Sequence, residues 1–107
     1  MRDLSNPRIG IFGATGAVGK EIIRVIYDRR VPHSELRLFA SSRSAGKSIE
    51  TSEGEIMIED SEKADYSGID IALFAISGGW SKENAAKATE AGCIVIDNSS
   101  AFRYDRD

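Results

Sequence analysis

The sequence predicts an α/β fold built on a doubly wound parallel sheet, and three observations lead there. Short apolar runs alternate along the chain with amphipathic stretches of helical length. The clearest apolar run, Asp70-Ile71-Ala72-Leu73-Phe74-Ala75-Ile76, is continuous where a half-solvated strand would alternate, as suits a parallel strand covered on both faces. A glycine cluster, Gly13-Ala14-Thr15-Gly16-Ala17-Val18-Gly19, stands between the first predicted strand and the first predicted helix.

Arg8-Ile9-Gly10-Ile11-Phe12 reads as the first strand, ended by the glycines. A helix is expected from Ala17 to about Arg30, stopped by Pro32. Its apolar face is Val18, Ile22, Val25 and Ile26, with Lys20, Glu21, Arg24 and Asp28 largely opposite. Leu36-Arg37-Leu38-Phe39-Ala40 reads as the second strand, and Ser41 to Gly46 as a polar loop. Ser48–Thr51 and Glu55–Glu59, joined through Ser52-Glu53-Gly54, have the form of a small hairpin. After the strand at Asp70–Ile76, Ser77-Gly78-Gly79 reads as a loop. A helix follows from about Ser81, its expected N-cap, to Ala91, with Gly92 as the stop. Cys93-Ile94-Val95-Ile96-Asp97 is the last expected strand. Ser99 to Asp107 begins a loop and supplies no further element. The expected architecture is therefore a Rossmann-like doubly wound sheet, incomplete at the C-terminus, in one domain over 1–107 of a longer protein.

A chain of 107 residues has room for one small core. The formal net charge of −3, with Lys and Arg dispersed, argues against a nucleic-acid-gripping face. The single cysteine excludes an internal disulfide and suits a reducing cytoplasm. Met1-Arg2-Asp3-Leu4-Ser5-Asn6-Pro7 lacks the apolar stretch of a signal peptide, and no apolar run has bilayer-spanning length. Neither a membrane partner nor a metal site is expected.

Between a strand and a helix, glycine has three separate uses: a sharp turn, close approach of backbone to a pyrophosphate, and close helix–strand packing. The helix start adds unpaired N–H donors and partial positive charge. The spacing here is G-x-x-G-x-x-G, a departure from G-x-G-x-x-G, so the context carries more weight than the pattern. The second strand discriminates between cofactors. An NAD-binding unit places Asp or Glu about 20 residues past the glycines, for the ribose 2′-hydroxyl. This chain has Phe39-Ala40-Ser41-Ser42-Arg43-Ser44 there, and no acid until Glu50. Arg43 can pair a 2′-phosphate bidentately and the serines can donate to it, so NADP is favoured over NAD. Cys93, at the start of an apolar strand and without basic neighbours, reads as a packed core thiol, and His33, after Pro32, as a surface residue.

Four motifs in this order, Gly13–Gly19, Ser42-Arg43-Ser44-Ala45-Gly46, Asp70–Phe74 and Asp97-Asn98-Ser99-Ser100-Ala101-Phe102-Arg103, resemble the aspartate-semialdehyde dehydrogenases. The resemblance runs from about Arg8 to Arg103, and its last motif is the most specific. The sister N-acetyl-γ-glutamyl-phosphate reductases tend to have leucine after the aspartate, where this chain has Asn98. The resemblance implies NADPH-dependent conversion of β-aspartyl phosphate to aspartate semialdehyde and inorganic phosphate, a step toward lysine, threonine and methionine. It also implies a cytoplasmic enzyme that assembles as a homodimer or homotetramer.

In that family a cysteine thiolate displaces phosphate to give a thioester, which hydride then reduces. The nucleophile belongs to a later Asn-Cys motif and the acid–base histidine lies further on, so the resemblance places no catalytic residue in this chain. Carried over by position, Thr15, Gly16, Ala17 and Val18 would touch the pyrophosphate and adenosine side, within a loop bounded by Gly13 and Gly19. Arg43 and Ser44 would hold the 2′-phosphate, and Ser77, Gly78 and Gly79 would lie along the cofactor. Arg103 would bind the substrate phosphate. Ile76 and Trp80 are unusual for the family's loop. A second reading is a dinucleotide-binding homologue without catalysis.

Overall fold

The computed structural model describes residues 5–75 and 78–97. Its elements are β1 (Arg8–Phe12), α1 (Ala17–Asp28), β2 (Glu35–Ala40), β3 (Ser48–Thr51), β4 (Gly54–Asp60), β5 (Ile71–Phe74), α2 (Gly78–Glu90) and β6 (Ile94–Asp97). Two short 3₁₀ turns, Ser61–Lys63 and Tyr66–Gly68, link β4 to β5. The strands form one sheet in the order β3-β4-β2-β1-β5-β6. Every neighbouring pair is parallel except the β3–β4 hairpin. β1 lies between β2 and β5, so the chain winds outward in both directions from it, which makes the β1/β5 boundary the switch point of the sheet.

Alternation along the strands divides the core in two. Ile9, Ile11, Leu36, Leu38, Ala40 and Ile58 pack against Ile23 and Ile26 of α1. Phe12, Phe39, Ala72 and Phe74 pack on the other face with Tyr66, Ile69, Ala88 and Cys93. Phe12 stacks on Phe39 with ring centres 4.3 Å apart and meets Phe74 edge-on at 5.1 Å. A side chain at Gly10 would come within 2.9 Å of Ile69 and 3.3 Å of Phe39, so the glycine makes room for this layer. Across the lower edge of the sheet, buried Asp70 accepts from the Arg8 amide at 2.8 Å and pairs with its guanidinium at 3.0 Å, tying the start of β1 to β5.

The structure departs from the sequence expectation at five places. The buried line of α1 is Gly19, Ile23 and Ile26, whereas Val25 is 36% exposed and Val18 and Ile22 border an open groove. The helix sits over β1 and β2, which turns the Val18–Ile22–Val25 side toward β5 and β6, where no described element covers it. For the same reason β5 is covered on one face only: Ala72 and Phe74 are buried, Ile71 and Leu73 half-buried.

α1 ends at Asp28, before Pro32 can act, because Arg30 takes a left-handed conformation (φ 52°). The Arg30 amide donates to the Tyr27 carbonyl and the Val31 amide to that of Ile26, a Schellman closure. α2 closes the same way at Gly92 (φ 93°), the expected stop, with Gly92 donating to Thr89 and Cys93 to Ala88. At its other end α2 begins at Gly78, so Gly78 and Gly79 form its first turn and Ser81 is not its N-cap. The hairpin forms as expected, with Gly54 at φ 108°, but β4 also pairs with β2 and so joins the main sheet.

Candidate functional site

The carboxyl ends of β1, β2, β4 and β5 open onto a cleft of about 460 Å³. Its wall is formed by Gly13, Thr15 and Gly16 after β1, Ala40, Ser41 and Ser42 at the end of β2, Ser61 and Glu62 after β4, and Ala75 after β5. This is the crest of the sheet at its switch point, where open α/β sheets bind their ligands.

The three glycines of the loop have different structural demands on them. Gly13 turns the chain at φ 92°, a conformation that side chains resist, and its amide and that of Ala14 both donate to the Phe39 carbonyl, at 2.9 and 3.0 Å. Gly19 packs α1 onto the loop: a Cβ there would stand 2.1 Å from the Gly13 oxygen and 2.8 Å from the Ala14 Cα. Gly16 meets neither demand. Its φ of −78° and ψ of 170° are open to any residue, and an added Cβ would find only the Gly13 oxygen at an ordinary 3.5 Å. What remains for Gly16 is its place on the cleft, where a side chain would stand between backbone and ligand.

Gly16 is also the N-cap of α1. Its carbonyl accepts the first intrahelical bond, from Lys20 at 2.9 Å, and no side chain caps the helix. The amides of Ala17, Val18 and Gly19 therefore have no intrahelical acceptor. With the Gly13 and Ala14 amides already donating to Phe39 of β2 and that of Gly16 to the Gly13 carbonyl, the first turn of α1 supplies the N–H donors and the positive end of the dipole.

The loop after β2 is an ordered turn. Ser44 and Ala45 donate to the Ser41 carbonyl at 2.9 and 3.1 Å, and Gly46 donates to Ile58 of β4 at 2.9 Å. The turn holds Arg43 exposed at the rim, and its guanidinium enters none of the ion pairs found among the described residues. Ser44, next in the turn, is half-buried. Gly78 and Gly79 open α2 on the far side, past β5. Ser77 and Arg103 lie outside the described residues. Of the expected residues, Gly13, Thr15 and Gly16 line the cleft itself, Arg43 and Ser44 stand at its β2 end, and the Val18 side chain lines the apolar groove instead.

Two polar cleft residues had no place in the sequence expectation, Ser61 and Glu62. Asp60 caps the turn that carries them by accepting from the Glu62 amide at 3.0 Å. The only advance signal was an Asp-Ser-Glu sequence closing a short strand, and its relevance depends on β4 lying beside β2.

The remaining polar side chains have structural settings. Cys93 is 7% exposed, and its Sγ contacts the Tyr66 and Ile69 carbonyls at 3.3 and 3.2 Å, which confirms a core thiol. His33 departs from the expectation of a surface residue. Its side chain is 11% exposed, placed between the Val31 carbonyl at 2.9 Å and Glu53 at 3.3 Å, where it joins the end of α1 to the hairpin. Burial pushes the Tyr66 hydroxyl up to about 12.

A second depression, of about 440 Å³, is lined by Ile9, Val18, Ile22, Val25, Ile71, Leu73 and Ile96 with few polar atoms. It lies on a sheet face, without the convergent donors that orient a nucleotide, so the polar cleft is the candidate site.

The model of the family described as semialdehyde dehydrogenase, NAD binding domain, matches residues 8–107. The aspartate-semialdehyde dehydrogenase of Streptomyces akiyoshiensis is 49% identical over 96 residues, 90% of this chain and 27% of that protein. The enzyme of the same name from Legionella pneumophila is 46% identical over 92% of this chain and 28% of its own length. Among solved structures, aspartate semialdehyde dehydrogenase II of Vibrio cholerae, complexed with ASA, superposes with a TM-score of 0.85 at 44% identity, over 95% of this chain and 33% of that one. Aspartate semialdehyde dehydrogenase with NADP from Candida albicans gives 0.68 at 25% identity, over 92% and 31%. The chain thus spans about a third or less of the proteins it matches.

Proposed function

Since the chain belongs to the semialdehyde dehydrogenase family, as its NAD-binding domain, we propose that its cleft binds NADP(H) and that it is the dinucleotide-binding portion of an aspartate-semialdehyde dehydrogenase. The observation that carries the reading is Gly16, a glycine with no conformational or packing need, placed on the cleft at the uncapped start of α1. The pyrophosphate lies over Thr15 and Gly16 and accepts from the first-turn amides of Ala17, Val18 and Gly19. Arg43, with Ser44, holds the 2′-phosphate at the β2 end. Gly78 and Gly79, with Ser77 before them, flank the cofactor's other half.

In the complete enzyme a bound dinucleotide would supply hydride to an acyl thioester, formed as a thiolate from another part of the enzyme attacks the β-aspartyl carbon and inorganic phosphate leaves. The residues of this chain hold and orient. Its cysteine is buried with its sulfur against two carbonyls, so the nucleophile belongs to another part of the enzyme. Arg103 is assigned to the substrate phosphate, for which a guanidinium is well suited. The names of the relatives support aspartyl over acetylglutamyl phosphate as substrate. A cytoplasmic enzyme, a homodimer or homotetramer when complete, accords with this chemistry.

Calorimetric titration of the chain with NADP⁺ and with NAD⁺ tests the cofactor reading. Saturable binding that prefers NADP⁺ is expected. Arg43→Ala should weaken NADP⁺ by roughly 1.5–3 kcal/mol, the range for a charge-assisted contact, and leave NAD⁺ nearly unchanged. Equal losses for both would show that Arg43 does not read the 2′-phosphate.

A further inference from the structure

The cleft has a polarity that the glycine loop and Arg43 do not explain. It runs from Ala75, past the loop, to Ser41 and Ser42, and ends at Ser61 and Glu62. Strands in a sheet are about 4.8 Å apart, so the end of β4 stands one strand beyond the end of β2. A dinucleotide with its pyrophosphate on the α1 start and its ribose phosphate at Arg43 has one group left to reach the end of β4, the adenine base.

Glu62 is fixed at that end through its backbone. Its amide donates to Asp60, and Ser61 beside it is buried, while the Glu62 side chain is exposed on the cleft wall. An ionised carboxylate only accepts hydrogen bonds. A phosphate likewise only accepts, so the two repel and the 2′-phosphate is placed toward Arg43. The donor that the base offers is its exocyclic 6-amino group.

From this arrangement, which rests on the NADP-binding reading above, we infer that Glu62 selects the adenine base by accepting a hydrogen bond from its 6-amino group, with Ser61 beside it. Base recognition and 2′-phosphate recognition are then carried by neighbouring strand ends. The carboxylate on β4 takes the donor edge of the base, and the guanidinium after β2 takes the anion. The acid that is missing from the second strand is present in the site, supplied by another strand and directed at another part of the cofactor.

The test pairs the natural cofactor with its 6-oxo analogue, nicotinamide hypoxanthine dinucleotide phosphate, in which an acceptor replaces the amine. Both are titrated calorimetrically into the unaltered chain, Glu62→Ala and Glu62→Gln. The unaltered chain should prefer NADP⁺ by about tenfold, the discrimination expected when an acceptor faces an acceptor. Glu62→Ala should reduce that preference to within about twofold, and Glu62→Gln, whose amide can donate to the 6-oxo group, should also reduce it. Circular dichroism should show all three folded alike, since the altered side chain is exposed. A tenfold preference that survives in Glu62→Ala overturns the inference and leaves the NADP-binding reading standing. Tighter NADP⁺ binding by Glu62→Ala with base preference unchanged also overturns it, by showing that the carboxylate opposes the 2′-phosphate. Failure of the unaltered chain to bind either NADP⁺ or NAD⁺ removes the cofactor reading, and this one with it.

Discussion

Alanine at Gly16 and alanine at Gly19 should have opposite consequences, although both positions belong to one seven-residue loop. At Gly19 the new Cβ would stand 2.1 Å from the Gly13 oxygen, with two more backbone atoms at 2.8 Å. No rotamer relieves a clash between Cβ and backbone, so α1 must lift from the loop. Overpacking costs typically 1–3 kcal/mol, and with backbone on both sides the upper end applies, about 3 kcal/mol. For a domain of this size that corresponds to a fall in Tm of roughly 12–24 °C. At Gly16 the nearest atom is an ordinary contact at 3.5 Å and the backbone is already extended. Restricting the unfolded chain contributes about 0.4–1 kcal/mol, which alanine's poorer performance as an N-cap largely offsets. Gly16→Ala should therefore melt within about 3 °C of the unaltered chain, yet bind NADP⁺ at least about tenfold more weakly, because the methyl separates the first-turn amides from the pyrophosphate. Thermal unfolding by circular dichroism and calorimetric titration of both variants separate the two effects. Undiminished NADP⁺ affinity in Gly16→Ala, or an unchanged Tm in Gly19→Ala, would refute the division of labour among the glycines.

Arg30→Gly should raise Tm by roughly 3–8 °C, since the left-handed residue that closes α1 would then match Gly92 at the end of α2 and shed about 1 kcal/mol of steric cost. Arg30→Asn should fall between the two in thermal unfolding, and no gain from glycine would mean that the Arg30 conformation costs nothing. Tyr66 ionises late, near 12, because burial disfavours its phenolate; the unfolded chain ionises it near 10 and sheds that proton first. Stability should thus fall as pH rises from about 10 to about 12, and Tyr66→Phe should flatten that alkaline arm and remove the last-rising component of tyrosinate absorbance. Asp65 is held below its usual 3.8 by accepting from the Ser67 hydroxyl and amide, at 2.7 and 3.0 Å. Its contribution is complete above that value and is lost as pH falls through the lower folded value, so Asp65→Ala should make the acid arm of the Tm–pH curve shallower.

Features that depend on neighbours in sequence were legible. The order of the strands and helices, the hairpin at Gly54 and the helix stop at Gly92 each follow from local chemistry: apolar period, β propensity, or a glycine able to take positive φ. The glycine loop was legible as a loop, but the separate tasks of Gly16 and Gly19 were not, because they are set by distances to Gly13 across the turn. Non-local pairing hid more. Ser61 and Glu62 enter the cleft because β4 pairs with β2, twenty residues away in register (Leu38 with Ile58), so they lie far in sequence from the end of the second strand. The same blindness affected the apolar faces. Val25, Ile71 and Leu73 have the residue types of a closed core, and only the position of α1 over β1 and β2 leaves them on an open groove. At Arg30 the sequence holds no glycine or asparagine to announce the helix end. The closure is instead imposed by Val31 and Ile26, which the Schellman bond brings together and which both line that groove.

The proposed site distributes recognition in a way that follows from what each end would have to discriminate. Pyrophosphate is common to NAD and NADP, and in the proposed site it would be met by backbone: the amides of the α1 start, beside a Gly16 without a side chain. Because backbone donors exist whatever the residue, the sequence demand at this end is the absence of bulk. On the same proposal the 2′-phosphate and the base, which distinguish one nucleotide from another, would be met by side chains, Arg43 after β2 and Glu62 after β4, both exposed. Each of these stands in an exposed turn closed by its own short-range hydrogen bonds, Ser44 to Ser41 in one and Glu62 to Asp60 in the other. The Arg43 side chain, exposed and in none of the ion pairs found among the described residues, can therefore be exchanged without disturbing the stacked core of Phe12, Phe39 and Phe74. Affinity placed in backbone and selectivity placed in exposed turns would, on this proposal, give a scaffold whose cofactor preference can change while its fold does not.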